Sequence, residues 1–279
     1  MEKIFSYLKL TRPQNNLISA ISVLVGAAVS GDIESWGKVF FACLSAFFIS
    51  AGGNSINDFF DLEIDRINKP NRPLPRGELS PFSALRFSIS LFLLGILLSF
   101  WVKPLSVLLA FVACGLLIVY SFHLKKEFLW GNLSVSLVSA LAFVYGGIAT
   151  RDFRVSLIPA AFALLFHLGR EVLKDVEDMK GDTFSGASTL PIRLGVEFSL
   201  SFCSLVFSLL VVLTVFPYVF HIFSFLYLAL VILGVDLVIV YVVWSMWHNP
   251  SSSNLHRLSN LLKADMLLGL AAIYVGKFY

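Results

Sequence analysis

Two short segments rich in acidic residues stand out in an otherwise apolar chain of 279 residues. Together they carry half of the 18 acidic side chains. These are Asp58, Asp61, Glu63 and Asp65 in the first segment, and Glu171, Asp175, Glu177, Asp178 and Asp182 in the second. Each segment ends a hydrophobic run that is long enough to cross a bilayer. Because carboxylates at membrane depth are costly, such residues indicate function by default.

The spacing of the acids predicts one functional face in each segment. If the chain stays helical, residues at i, i+4, i+7 and i+11 share one side of the first segment, and residues at i, i+3 and i+7 share one side of the second. The first acidic set is Asn54, Asp58, Asp61 and Asp65, and the second acidic set is Asp175, Asp178 and Asp182. Like charges on one face repel each other, so each set requires cations beside it.

Divalent metal ions suit these acids. Mg²⁺ prefers oxygen ligands and commonly takes one or two carboxylates together with substrate phosphates and water. Two acidic sets at matching membrane depth therefore predict a shared magnesium site that binds a diphosphate. The expected metal ligands are Asp58, Asp61, Asp65, Asp175, Asp178 and Asp182. The alternative is a pair of solvated loops whose acids pair with neighbouring Arg and Lys.

The composition excludes an ordinary soluble domain, because 57% of the residues are hydrophobic and only 14% are charged. Nine apolar runs have about the 20 residues that a membrane-spanning helix needs. They cover roughly 14–31, 37–57, 83–101, 105–122, 131–150, 155–173, 198–216, 222–247 and 262–278. We therefore expect an all-α, polytopic membrane protein with nine transmembrane helices in a single bundle around a central cavity. Residues 1–279 are expected to form one transmembrane domain.

The basic residues indicate the orientation. With the N-terminus inside, 16 of the 21 Lys and Arg residues fall on the cytoplasmic side and five on the outer side, in agreement with the positive-inside rule. The outer five are Lys38, Lys103, Arg151, Arg154 and Lys277. We expect a multi-pass protein of the cell membrane with both acidic segments facing the cytoplasm. Membrane lipids are expected partners, and nucleic acid is not.

Two signatures resemble those of the UbiA superfamily of intramembrane prenyltransferases. The first is Asn-Asp-Phe-Phe-Asp-Leu-Glu-Ile-Asp at 57–65, followed by Asn-Arg-Pro-Leu at 71–74. The second is Lys-Asp-Val-Glu-Asp-Met-Lys-Gly-Asp at 174–182. Arg12-Pro13 with Asn16 and the pair Tyr120-Ser121 are also similar to that family. The nine-span layout matches as well, so the resemblance covers essentially the whole chain.

The resemblance implies Mg²⁺-dependent transfer of an isoprenoid from an allylic diphosphate to an acceptor. Breaking an allylic C–O bond leaves a delocalised cation and a highly charged diphosphate, and metal ions and fixed cations near that charge lower the barrier. The implied catalytic residues are Asp58, Asp61, Asp178 and Asp182. The implied diphosphate contacts are Arg72 and Lys125, with Lys174 behind them and Asn54 as a neutral ligand or orienting residue.

The residues of both signatures are most similar to those of archaeal digeranylgeranylglyceryl phosphate synthases. The resemblance thus implies geranylgeranyl diphosphate as donor and geranylgeranylglyceryl phosphate as the lipid-phosphate acceptor, whose free hydroxyl attacks the cation. Candidate partners for the acceptor phosphate are Arg170, Lys126 and Arg193. His167 and Asn16 are candidate substrate contacts, with a hydrogen-bonded core histidine and an interhelical hydrogen bond as their alternatives.

Other polar or small residues in the apolar runs have structural explanations. Asp236 is expected to be a neutral or paired structural acid, because nothing connects it to the two acidic sets. The pair Gly146-Gly147 is expected to permit close approach of two helices. Three cysteines lie singly in separate runs and are expected to pack as small apolar residues.

Three other functions compete with this interpretation. An aromatic prenyltransferase of the same superfamily, which makes quinone or chlorin precursors, differs only in the acceptor. An ion-coupled transporter predicts acids near the bilayer midplane and helices broken by Gly or Pro. Here the acids of the two sets cluster at one face and basic loops follow them. A CDP-alcohol phosphotransferase has a single Asp-rich motif with Asp-Gly and Ala-Arg elements, which this chain lacks.

Overall fold

Helices account for nearly all of the chain in a computed structural model that describes residues 2–31, 33–184 and 186–278, and no strand occurs in those ranges. The first helices are α1 (Glu2–Thr11), α2 (Pro13–Val29), α3 (Trp36–Phe60), α4 (Leu62–Asn68), α5 (Pro81–Ser99), α6 (Pro104–Phe122) and α7 (Trp130–Ile148). They are followed by α8 (Leu157–Phe184), α9 (Leu190–Leu194), α10 (Val196–Val219), α11 (Phe225–Leu230), a π-helical turn (Val231–Asp236), α12 (Leu237–His248) and α13 (Ser252–Phe278).

Eight helical stretches in the described residues are long and apolar enough to cross a membrane. They are Trp36–Phe60, Pro81–Ser99, Pro104–Phe122, Trp130–Ile148, Arg154–Phe184, Val196–Val219, Phe225–His248 and Ser252–Lys277. The remaining predicted span is the 17-residue apolar helix α2. The prediction of an all-α integral membrane protein is therefore confirmed, and the count of nine is met by eight full spans and one shorter helix.

The last span begins well before its predicted start. Its apolar run was expected to begin near residue 262, whereas α13 begins at Ser252. The reason is an apolar face in a stretch that looks polar in the sequence. This face is formed by three fully buried leucines, Leu255, Leu258 and Leu262. Asp265 therefore lies near the middle of a span rather than at its end.

The chain divides into two compact units, one formed by residues 1–125 and 141–156 and the other by residues 126–140 and 157–279. The expectation of a single domain stays a prediction. In the first unit α3 packs against α2, α5 and α6. The end of α7 approaches α2 closely, since a Cβ at Gly146 would lie 1.9 Å from the Val23 carbonyl oxygen. The expectation for this glycine is confirmed.

The second unit is built around α8, which packs against α10 and α13. Phe207 of α10 is fully buried and would meet a Cβ at Gly169 of α8 at 2.7 Å. Cys203 of α10 is also buried and donates a weak hydrogen bond to the Gly169 carbonyl. This cysteine, like Cys43 and Cys114, is free, as expected for a packing residue.

Backbone hydrogen bonds carry the helical geometry through the first acidic segment. The chain leaves α3 for one residue at Asp61 and resumes as α4. The Asp61 amide still donates to the Asn57 carbonyl at 2.9 Å, and the Asp65 amide donates to the Asp61 carbonyl at 2.7 Å. The predicted one-sided arrangement therefore survives a break in the helix. The second acidic segment is helical without a break, because it lies wholly within α8.

Candidate active site

Two acids of the first acidic set are buried, and all three acids pair with cations from their own unit. Asp58 and Asp65 are only 3% and 4% exposed. Arg72 donates to Asp58 Oδ1 at 3.0 Å and to Asp65 Oδ2 at 2.5 Å, so one guanidinium joins two acids that are two helical turns apart. Lys125 donates to Asp61 Oδ1 in a short ion pair. The structure thus brings Arg72 and Lys125 to the acids for which the sequence suggested a common role.

Arg12 is a third cation at this set. It donates to Asp58 Oδ1 in a short ion pair. Its backbone adopts a left-handed conformation, with φ of 52°, at the junction of α1 and α2. That conformation is rare for a bulky residue and often marks a functional position. The sequence analysis did not assign Arg12 to the site, although the Arg-Pro pair at the start of a span was a signal for it.

The loop that carries Arg72 is held in place by local packing. Leu74 and Leu79 are buried in a cluster with Leu10 of α1 and Ala84 of α5. Backbone bonds fold the same loop on itself, including one from the Glu78 amide to the Pro73 carbonyl at 3.0 Å. Apolar anchors on both sides therefore fix the position of this guanidinium.

Two predicted substrate contacts, Asn16 and Asn54, take part in one hydrogen-bond network. Asn54 donates to Asn16 Oδ1 at 3.0 Å and to the Thr11 carbonyl at 3.1 Å. Asn16 is fully buried and donates to the same carbonyl at 2.9 Å. These bonds hold the backbone next to Arg12 and orient its side chain. Direct contact of either asparagine with substrate stays a prediction.

The second acidic set is arranged differently. Asp175 accepts a hydrogen bond from the neutral amide of Asn132 at 2.8 Å. Asp178 is exposed and forms no hydrogen bond or ion pair within the described part of the chain. Asp182 lies one turn further along α8 and is half-buried. The carboxylate of Asp178 is therefore the member of this set that is most available to an added cation.

Two basic residues of α8, Arg170 and Lys174, are bound to a neighbouring acid outside this set. Glu171 is buried and accepts from Arg170 at 2.9 Å and from Lys174 at 3.0 Å. Arg170 also donates to the Ser259 carbonyl of α13 at 3.3 Å. His167, one turn before Glu171, has a buried Nδ1 atom without a hydrogen-bond partner in the described residues. The predicted substrate contacts of Lys174, Arg170 and His167 stay predictions.

The donor atoms of the first acidic set suit magnesium. Carboxylate and amide oxygens are the hard ligands that Mg²⁺ prefers. Asn57 donates to Asp61 Oδ2 at 2.8 Å, while its own Oδ1 atom is buried and has no hydrogen-bond partner among the residues that the structure describes. That orphaned oxygen beside two acids is what a metal or a metal-bound water would satisfy. No ready-made cluster of three or more His, Cys, Asp or Glu metal ligands occurs among the residues that the structure describes.

Comparison with known proteins agrees with this chemistry. Residues 19–263 match the UbiA prenyltransferase family. The chain is 34% identical over 270 residues to a digeranylgeranylglyceryl phosphate synthase of Methanosphaera stadtmanae, covering 97% of this chain and 98% of that one.

Two solved structures are also similar. One, reported for a digeranylgeranylglyceryl phosphate synthase in membranes, is 35% identical, covers 99% of both chains and has a TM-score of 0.81. A UbiA homolog from Archaeoglobus fulgidus bound to DMAPP and Mg²⁺ is 20% identical, covers 97% of this chain and 99% of that one, and has a TM-score of 0.72. At 20% identity, the similarity to the Archaeoglobus fulgidus protein shows a shared fold.

Proposed function

The chain belongs to the UbiA prenyltransferase family, and we propose that it transfers a geranylgeranyl group from geranylgeranyl diphosphate to the free hydroxyl of geranylgeranylglyceryl phosphate. Diphosphate is released and an ether bond of an archaeal membrane lipid is formed. The observation that carries this proposal is the pairing of the first acidic set with the cations Arg12, Arg72 and Lys125. The relatives named for this reaction support the choice of acceptor.

The acids and the cations have different roles at the diphosphate leaving group. We assign magnesium binding to both acidic sets, and bound Mg²⁺ supplies positive charge to the departing diphosphate. Arg72 and Arg12 keep part of their side chains exposed, so a guanidinium held by Asp58 can still donate to a phosphate oxygen. Cations fixed in place before the reaction stabilise the developing charge without a cost of reorganisation.

The acceptor phosphate requires a separate cation. Arg170 is largely engaged by Glu171 and the Ser259 carbonyl, which favours a structural role for it. Arg193 is about half exposed, its distance to Glu127 is a long 4.0 Å, and its guanidinium lies 5.7 Å above the Phe128 ring. We assign the acceptor phosphate to Arg193 and to the exposed Lys126, which belongs to the same unit.

Replacing Arg193 with Ala tests the assignment of the acceptor site. We expect KM for geranylgeranylglyceryl phosphate to rise about tenfold, the effect of losing roughly 1.4 kcal/mol of binding. KM for the diphosphate donor is expected to stay the same. The matched control is Arg154→Ala, because Arg154 is a solvent-exposed arginine of the other unit. An unchanged KM for the acceptor contradicts the assignment.

The orientation of the protein follows from the same proposal. We propose that the N-terminus and the two acidic sets face the cytoplasm, since most Lys and Arg residues then lie inside. Cysteine substitutions at Ser252 and at Asp152, tested with a membrane-impermeant thiol reagent in intact cells, distinguish the two sides. Labelling at Asp152 alone supports the orientation, and labelling at Ser252 alone reverses it.

The proposed function and its alternatives are distinguished by the acceptor that the protein uses. Purified protein is incubated with geranylgeranyl diphosphate, Mg²⁺ and either geranylgeranylglyceryl phosphate or 4-hydroxybenzoate, and products are measured by mass spectrometry. We expect a doubly alkylated glycerol phosphate from the first acceptor and no prenylated product from the second. If product forms only from 4-hydroxybenzoate, the assignment of geranylgeranylglyceryl phosphate as the acceptor is wrong. No consumption of the diphosphate with either acceptor contradicts the enzymatic function itself.

A further inference from the structure

Two carboxylates are buried in the middle of membrane-spanning helices of the second unit, outside both acidic sets. Asp236 ends the π-helical turn in the centre of the span Phe225–His248, and Asp265 lies in the centre of the span Ser252–Lys277. The two residues are 5% and 2% exposed. A charged group in the bilayer centre is costly and marks a functional site by default. Neither acid is among the residues that we assign to prenyl transfer.

The two acids lie on packed faces of their helices. α13 packs against the π-helical turn. A Cβ at Gly269 would lie 3.9 Å from Val235 Cγ2, and one at Gly234 would lie 3.9 Å from Leu268 Cδ1. Asp265 is one turn before these residues of α13, so it shares their face. The two carboxylates also interact electrostatically. Asp265 is therefore directed towards the helix that carries Asp236.

The chain does not satisfy this pair. Neither oxygen of Asp265 has a hydrogen-bond partner among the described residues. Residues 196–256, which include α10, α11 and α12, contain no Lys or Arg. No ion pair reaches Asp236 or Asp265 in the described ranges. A buried carboxylate without a counter-charge either takes up a proton or binds a positive ligand, so this pair is a candidate site for a cation from outside the chain.

Thr214 of α10 offers a third oxygen at the same place. Its Oγ1 atom lies 3.1 Å and 3.3 Å from the two oxygens of Asp236 and 2.7 Å from the Val211 carbonyl. A hydroxyl has one proton. When that proton is donated to the nearer carbonyl, the lone pairs of Oγ1 face Asp236. The hydroxyl of Tyr227 cannot supply another donor here, because it donates to the Thr214 carbonyl at 2.7 Å.

We propose that Asp236, Asp265 and Thr214 bind a small monovalent cation, Na⁺, at the midplane of the membrane. Their oxygens are hard ligands of the kind that alkali and alkaline-earth ions take. Mg²⁺ suits the place poorly, because it demands octahedral geometry and keeps several waters. One Na⁺ and one shared proton neutralise both carboxylates. The π-helical turn at Asp236 accords with a binding role, since such turns are frequent at functional sites.

Carbodiimide labelling tests this site without an activity assay. Dicyclohexylcarbodiimide reacts with protonated carboxyl groups in apolar surroundings, and a bound cation blocks the reaction. The full chain in detergent is treated in NaCl or in choline chloride of equal ionic strength, and modification of Asp236 and Asp265 is measured by peptide mass spectrometry. We expect at least about fivefold slower modification in NaCl, and equal modification rates in the two salts overturn the proposal.

Thermal unfolding gives a second measurement that does not depend on labelling. Because a ligand that binds only the folded state raises Tm, we expect Na⁺ to raise Tm by about 5 °C over choline in the unchanged protein. The shift disappears in Asp265→Asn and, as a milder change, in Thr214→Val. The matched control Asp152→Asn alters an exposed acid outside the spans and keeps the shift. A Tm that is the same in both salts, or a shift that persists in both site variants, overturns the proposal.

Discussion

The two acidic sets are balanced by different partners, although both lie at the ends of membrane-spanning helices. In the first set, three carboxylates are matched by Arg12, Arg72 and Lys125. In the second set, Asp175 has a neutral amide partner and Asp178 is exposed without one in the described residues. The nearby cations Arg170 and Lys174 are bound to Glu171 instead.

The difference indicates two roles within one reaction. The first set is close to electrically neutral by itself, so its acids hold cations in position for the diphosphate. In the second set, the exposed Asp178 has no cation partner among the described residues, so its carboxylate is the more available ligand for an added metal ion. A substitution in the first set should therefore disturb both structure and activity. A substitution at the exposed acid of the second set should disturb activity alone.

Asp58→Asn should have the largest effect. It removes the charge that holds Arg12 and Arg72, and we expect turnover to fall by at least about 10³-fold, as for the loss of a key electrostatic contact. Unfolding free energy should also fall, by less than the roughly 3–5 kcal/mol for breaking a fully buried pair, because both guanidinium groups are partly exposed. Product formation and thermal unfolding are the measurements.

The control for that substitution is Glu63→Gln in the same segment. Glu63 is exposed and, among the described residues, pairs only with the exposed Arg66, so activity and stability should stay near their original values. Near-normal turnover in Asp58→Asn removes this residue from the catalytic list.

Asp178→Asn should separate activity from stability. We expect turnover to fall by at least about 10²-fold, since a metal ligand is lost. The unfolding free energy should change by less than about 0.5 kcal/mol, as is usual at exposed positions. Equal loss of stability in Asp58→Asn and Asp178→Asn would remove the contrast between the two sets. Unchanged turnover would remove Asp178 from the site.

Arg12→Ala should have a smaller effect that concerns the donor. We expect kcat/KM for geranylgeranyl diphosphate to fall about 10–100-fold, because one charge-assisted contact is lost while Arg72 remains. Arg66→Ala is the matched control, since this exposed arginine forms hydrogen bonds only to Glu63 within the described ranges. Steady-state kinetics at fixed acceptor concentration measure the difference. Equal effects of the two substitutions contradict the role given to Arg12.

Local patterns in the sequence predicted much of this arrangement. The acids recur at helical spacing, and that spacing holds across the break at Asp61 because the backbone bonds continue. Long-range contacts were not predictable in the same way. Arg12 lies 46 positions from its partner Asp58, and the network of Asn16 and Asn54 joins residues 38 positions apart.

Asp265 shows why burial is harder to predict than spacing. Asp236 was recognised as an isolated acid in an apolar run, but its counterpart follows 29 positions later in a stretch that also contains Lys263. The hydropathy pattern therefore placed the start of the last span near residue 262, whereas the helix begins at Ser252. Only the packing of Leu255, Leu258 and Leu262 shows that the helix begins earlier and carries this acid into the membrane.

The most direct test of the central claim is the dependence of prenyl transfer on free Mg²⁺ in three proteins: the unchanged chain, Asp58→Asn and Asp178→Asn. We predict that the unchanged chain loses turnover in EDTA and regains it when Mg²⁺ is restored. Asp178→Asn should need a higher Mg²⁺ concentration for its residual turnover, and Asp58→Asn should stay inactive at every concentration. Full turnover in EDTA, or an identical Mg²⁺ dependence in all three proteins, would contradict the account.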